Sequence, residues 1–172
     1  LAVFAKPEIS LKQVDLDAGP LELFLPCIVN GDTALLAAWT RQGVNRDYRY
    51  IGQLWQYLQI HAGFLKSDKA VLIGDLNSNK QWDDKRTWNH SEVVRGLRAQ
   101  GLESGYHHLL NEDQGQETRP TFLMHRKLEK PYHIDYAFLS QALLPNAKLE
   151  IGGIDTWLEH SDHMPVVVDI SG

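Results

Sequence analysis

The sequence predicts a layered domain of the α/β (α+β) class, with mixed β-sheet and helices on its outer faces. Three observations carry that expectation. Short apolar runs recur between turn signals, at 1–5, 22–30, 33–39, 70–74, 133–139, 148–152 and 164–170. Two other stretches repeat their apolar residues at helical spacing. The order is hairpin, helix, strand, helix and then further strands, which suits mixed sheets flanked by helices.

In chain order, "LAVFA" at 1–5 reads as a strand from its first residue. "VNGD" at 29–32 separates two apolar runs with an Asn-Gly pair, the strongest short-range hairpin signal. From Asp47 to Lys66, apolar residues at Ile51, Leu54, Trp55, Leu58, Ala62 and Leu65 form one stripe of a helix, suited to core packing. "NHSEVVRGLRAQG" reads as a second helix: Asn89 can cap it, Glu92 sits three residues on, and Gly101 can end it. Neither a repeat nor a linker divides the chain, so residues 1–172 read as a single domain. A domain that begins inside a strand implies chain lost upstream, so a domain truncated at its N-terminus is expected.

The 172 residues suffice for one sizeable core, and a 43% hydrophobic, 23% charged composition is that of an ordinary globular protein. No stretch reads as a membrane span or a signal peptide. A lone Cys27 excludes an internal disulfide and a cysteine-rich zinc site, and a reducing cytoplasm is its easiest setting. Its place in "LELFLPCIV" suits a small buried hydrophobe. The net charge of −5 argues against a general nucleic-acid coat protein, but not against a nuclease with basic residues gathered round one cleft.

Three polar clusters sit at apolar strands. In "VLIGDLNSN" at 71–79, Gly74 allows a turn or a close backbone approach. Asp75 and Asn77 are two apart, so in extended geometry both side chains point one way and could hold a water and take its proton. The competing reading is an Asx-turn in which they bond local backbone. In "PYHIDYAFLS" at 131–140, Asp135 interrupts an apolar strand and needs a His or Arg partner if it is buried. If the strand alternates, His133 and Asp135 share a solvent face instead. In "EHSDHMPVVVDI" at 159–170, His163 is the best candidate for a group that changes charge near neutral pH. His160, Asp162 and His163 lack the spacing of helical zinc motifs, and no nucleophile elbow surrounds Ser161.

Taken together, "GDLNSN" at 74–79, "HIDYAFLS" at 133–140 and "SDHMPVVVDI" at 161–170 match in order and spacing. The set resembles the endonuclease/exonuclease/phosphatase superfamily, which includes exonuclease III, AP endonucleases and deoxyribonuclease I. The resemblance covers the chain but only the later two-thirds of a family domain. It implies a four-layer sandwich of two mixed β-sheets packed face to face, with helices outside. The family's N-terminal Asn and metal-binding Glu have no counterpart in these residues. By resemblance, Asp75 orients and deprotonates the water and Asn77 helps hold it. His163 stabilises the transition state, and Asp135 fixes its tautomer. The metal would be Mg²⁺ or Mn²⁺, with Asp162 the best remaining metal-side carboxylate. Asn79 and His133, inside the matching stretches, are candidate substrate contacts. Trp39 is a third, because it ends "LLAAWT" where relatives carry a phosphate-binding His or Tyr.

Metal-dependent phosphodiester hydrolysis is therefore expected, with nucleic acid as the preferred substrate. "SNKQWDDKRTWNH" carries Lys80, Lys85 and Arg86 with Trp82 and Trp88, and "TRPTFLMHRKLEK" carries Arg119, Arg126, Lys127 and Lys130. Bases interleaved with aromatics suit a phosphate backbone and unstacked nucleobases, although charge runs are commonly just solvated loops. Two alternatives remain open: a lipid or small-molecule phosphodiesterase or phosphatase, and a catalytically dead binding module of the same fold.

Overall fold

The computed structural model of the chain describes residues 1–42 and 48–170. In order they form β1 (Leu11–Gln13), β2 (Phe24–Val29), β3 (Thr33–Trp39), α1 (Ile51–His61), β4 (Ala70–Asp75), α2 (His90–Ala99), β5 (Leu102–Ser104) and α3 (Gly105–Leu110). There follow β6 (Phe122–Leu123), β7 (Pro131–Tyr132), β8 (Asp135–Ser140), β9 (Lys148–Ile151), α4 (Ile154–Trp157) and β10 (Val166–Asp169).

A six-stranded sheet in the order β1-β2-β3-β4-β8-β5 is the centre of the molecule. It is mixed: β3 and β4 pair in parallel, and the other neighbours are antiparallel. Parallel neighbours need a crossover, and α1 supplies it. The hairpin at Asn30-Gly31 joins β2 to β3, with both residues at positive φ.

Strand alternation divides the core into two layers. Leu36, Ala38, Leu72, Tyr136 and Phe138 face Leu54, Tyr57 and Leu58 of α1 and Val93, Val94 and Leu97 of α2. Full burial of a leucine such as Leu54 contributes about 2 kcal/mol. The alternate residues Leu35, Val71, Ile73 and Leu139 meet Val168 and Ile170 at the end of the chain. The layered α/β class is as expected. Among the described residues, however, the second face-to-face layer is the two-stranded antiparallel pair β9–β10.

Local signals fared according to length. Asn89 caps α2, its Oδ1 accepting from the Glu92 N–H at 3.0 Å, and Gly101 follows at positive φ. α1 is shorter than its apolar stripe, and the expected start at Asp47 lies outside the described residues. Residues 1–5 form no strand, and Phe4 is 92% exposed. An apolar run becomes a strand only when a neighbour takes its hydrogen bonds, and no described strand lies beside this one. No helix among the described residues is long and apolar enough to cross a membrane.

Candidate active site

Register brings the polar strand ends into one row. Trp39 at the end of β3 lies opposite Asp75 of β4, and Asp75 lies opposite Asp135 of β8. Partners across strands present their side chains on the same face. These three continue the face of Leu35, Val71 and Ile73, so they emerge where the two sheet layers end.

Gly74 makes the first step of the row possible. Its φ is +151°, and a Cβ there would collide with the backbone carbonyl oxygen of Ala38. The close-approach reading of this glycine is therefore the observed one. After Asp75 the chain turns rather than extends, and Asn77 takes a left-handed φ of 43°. The turn still brings the pair together. Asp75 accepts from the Asn77 backbone N–H at 2.8 Å and from its side-chain Nδ2 at 2.7 Å. Asn77 Nδ2 also donates to the Thr40 carbonyl at 2.9 Å. Thr40, fully buried, donates its hydroxyl to the Leu76 carbonyl. The Asx-turn and the paired side chains are thus one arrangement, and among the described residues no group donates to Asn77 Oδ1.

His163 comes from the segment before β10. Its Nδ1 lies 3.0 Å and 3.2 Å from the two oxygens of Asp135. Neutral His163 then carries its proton on Nδ1, leaving Nε2 for a ligand. The segment is seated by the Ser161 hydroxyl, which accepts from the His163 N–H at 2.9 Å, and by a backbone bridge to Phe122. The Phe122 ring lies 4.7 Å from the imidazole. Buried Thr121 holds the other side: its Oγ accepts both the Ile134 and Asp135 N–H groups at 3.0 Å, and its carbonyl accepts from Met164 N–H at 2.7 Å.

The electrostatics follow from this packing. Burial first, and then the Asp135 charge opposite, push the Asp75 carboxyl up to about 6, against the two hydrogen bonds from Asn77. The Asp135 hydrogen bond raises His163 above its ordinary value, against partial burial. Among the described residues, neither Asp75 nor Asp135 forms an ion pair with a Lys or Arg. Donor atoms of Asp75, Asp135 and His163 all lie within 4.8 Å of one another, close enough to hold a metal ion. Two facing carboxylates, of which only Asp135 is paired with a histidine, suit a hard divalent ion. Asp162 stands beside this group, its backbone carbonyl accepting from Leu123 N–H and its charge raising His163 further.

Trp39 lies in the row and is 39% exposed. Asn79 and His133 do not join the Asp75–Asp135–His163 group. They are 1% and 3% exposed, in a second polar layer beneath the cleft, and Asn79 lines the pocket beside Asn77. Asn79 Nδ2 donates to Glu117, to the His133 carbonyl and to the Tyr136 hydroxyl. His133 Nδ1 lies 2.9 Å from the Arg119 carbonyl. Glu117 and His107 form a buried pair at 3.0 Å, and His90 joins through Ser78 and Gln114. The local sequence carries no signal for Thr121, Glu117 or His107: Glu117 pairs with His107 from 10 positions away, and Thr121 reaches Ile134 and Asp135 from 13 and 14.

This layer makes stability depend on pH. Burial alone would raise Glu117, but hydrogen bonds from His107, Asn79 and the Gly115 N–H outweigh it and hold the carboxyl at about 2. Its contribution is complete above about 4.5 and is lost as pH falls towards about 2. Burial depresses His90 and His133, so their contribution is complete above the ordinary value of 6.5 and is lost as pH falls below it. The urea midpoint should therefore fall below about pH 4.5, and His90→Gln should lose less stability than wild type between pH 7 and 5.

No protein-family model and no curated protein sequence matches the chain. Solved structures do. The 3′ phosphatase NExo from Neisseria, bound to a product DNA hairpin, is 18% identical with a TM-score of 0.64, over 96% of this chain and 71% of its own. An AP endonuclease from Archaeoglobus fulgidus is 18% identical with a TM-score of 0.63, over 94% and 70%. The endonuclease domain of TRAS1, a telomere-specific non-LTR retrotransposon, is 17% identical with a TM-score of 0.60, over 94% and 66%. At such identity the likeness is one of architecture, and it agrees with the three sequence motifs: the chain has the fold of the endonuclease/exonuclease/phosphatase superfamily.

Proposed function

We propose that the chain is a metal-dependent phosphodiester hydrolase acting on DNA or RNA. The observation that carries this reading is the geometry of one cleft. A base of near-neutral strength, Asp75, lies opposite Asp135, which is bonded to His163. The names of the structural neighbours, a DNA-bound 3′ phosphatase and two endonucleases, support the choice of nucleic acid. So do the basic and aromatic loops. The free, buried Cys27 suits a reducing, cytoplasmic setting.

Attack at phosphorus requires a water that loses its proton as the P–O bond forms. Asp75 is the acceptor: a carboxyl pushed up to about 6 takes a proton more readily than an ordinary one, yet is ionised at neutral pH. Asn77 Oδ1 orients the same water. His163, biased towards its charged form by Asp135, donates from Nε2 to a phosphate oxygen as negative charge develops there. Asp135 keeps the imidazole turned and its Nδ1 protonated. Asp135, with Asp162 beside it, would hold Mg²⁺ or Mn²⁺, and such an ion when bound neutralises charge on the phosphate and leaves Asp75 to take the proton. Trp39, in register with Asp75, offers a ring to the substrate.

The test is hydrolysis of plasmid, single-stranded and abasic-site DNA, beside bis(p-nitrophenyl) phosphate, with Mg²⁺, Mn²⁺ or chelator. Metal-dependent cleavage of DNA supports the nuclease reading. Turnover of the small diester alone moves the assignment to another phosphodiester. A folded protein inactive with either metal would be a binding module.

A further inference from the structure

We propose that the pocket beside Asn77 is a subsite for an unpaired nucleobase, so that the substrate is single-stranded or frayed nucleic acid. This rests on the phosphodiesterase reading and narrows its substrate class.

The pocket is bounded by Arg49, Tyr50, Asn77, Trp82, Arg86 and Trp88. Asn77 belongs to both places, so a ligand here adjoins the phosphate site. The walls are aromatic and open. Trp82 is 46% exposed and Tyr50 is 42% exposed. Trp82 leans on the Tyr132 ring, 5.2 Å between centroids, which steadies it without covering it. Trp88 is seated against α1 where that helix has no side chain: a Cβ at Gly52 would lie 2.7 Å from the indole. The Arg86 guanidinium lies 4.1 Å over the Trp88 ring, and Asp84 holds it there at 2.5 Å.

The polar edge of the pocket is also unsatisfied. Arg49 Nε is buried and has no hydrogen-bond partner among the described residues. A buried donor of this kind calls for an acceptor. Flat rings, a stacked cation and an unused donor together describe a ligand with two π-faces and carbonyl or ring-nitrogen acceptors on its rim. A nucleobase has that form, and stacking of this kind tolerates any base. A base inside a duplex has both faces covered by its neighbours and cannot enter. Lys80 and Lys85, in the same loop, suit the attached phosphates.

The experiment measures binding without turnover, in chelator, by anisotropy of labelled strands. The probes are an oligothymidylate, a strand of equal length built from baseless tetrahydrofuran units, and a duplex. The phosphate count is the same in the first two, so their difference reads the bases alone. Wild-type protein should bind the oligothymidylate about tenfold more tightly than the baseless strand, and more tightly than the duplex. Trp82→Ala should erase the difference and Trp82→Phe should keep most of it, with thermal melts showing both variants folded. Equal binding of the two strands, a difference that survives Trp82→Ala, a duplex bound as tightly, or no binding at all would each overturn the subsite. Hydrolysis of bis(p-nitrophenyl) phosphate by the same preparations reads the enzyme separately. Turnover without base-dependent binding removes the subsite alone. Base-dependent binding without turnover supports the subsite and removes the hydrolase.

Discussion

Asp75→Asn should lower hydrolysis by on the order of 10²- to 10⁴-fold, because the amide cannot accept the water's proton. The same change should leave the protein as stable or firmer when measured in chelator. Asp75 faces Asp135 across the β4–β8 pair, and like charges directly opposite are unfavourable. Its folded carboxyl, at about 6, stands above its ordinary value of 3.8. The sign follows: a raised carboxyl carries no penalty below about 3.8, and the full penalty once pH passes about 6. That penalty is on the order of 2 kcal/mol, offset in part by the acceptor that the amide loses. Urea midpoints of the two proteins should therefore separate at pH 8 and converge near pH 4. A variant that loses both activity and stability at pH 8 would show that Asp75 acts as a structural group.

Gly74→Ala should be the most damaging single-methyl change in the sheet. Gly74 lies opposite Ala38 in the parallel β3–β4 pair, at φ +151°, and an added Cβ would meet the Ala38 carbonyl oxygen. The obstacle is backbone in two central strands, so no side chain can turn aside to relieve it. A loss of about 4 kcal/mol or more is expected, against a typical domain stability of roughly 5–15 kcal/mol. Far-UV circular dichroism and the yield of folded protein check this. A Gly74→Ala protein that melts like wild type would mean that β3 and β4 are not this close at the site. The row Trp39–Asp75–Asp135 would then lose its basis.

The parts of the fold legible in the sequence are those with long, regular patterns. The strands ending at Trp39 and Asp75, the capped helix at Asn89 and the hairpin at Asn30-Gly31 all carry several consistent local signals. The elements missed, such as β6, β7 and α4, are two to four residues long and exist through their neighbours. The run at 1–5 shows the converse: an apolar pattern with no partner strand remains irregular. At the site, the residue types Asp75, Asn77, Asp135 and His163 were readable, but the means of assembly was not. Asn77 reaches Asp75 through a left-handed turn rather than an extended strand. Thr121 positions Asp135 from 14 residues away, a relation that only the folded chain displays. Asn79 and His133 share motifs with the cleft residues, yet alternation and the turn after β4 direct them into the buried layer.

The most direct measurement is the initial rate of bis(p-nitrophenyl) phosphate hydrolysis by wild type and His163→Ala across a titration of Mg²⁺ or Mn²⁺. The expected result is a wild-type rate that rises with metal and vanishes in chelator, and that His163→Ala lowers by on the order of 10²-fold at saturating metal. Equal rates in the two proteins, or a rate indifferent to metal, would contradict a phosphodiesterase site built on the Asp135–His163 pair.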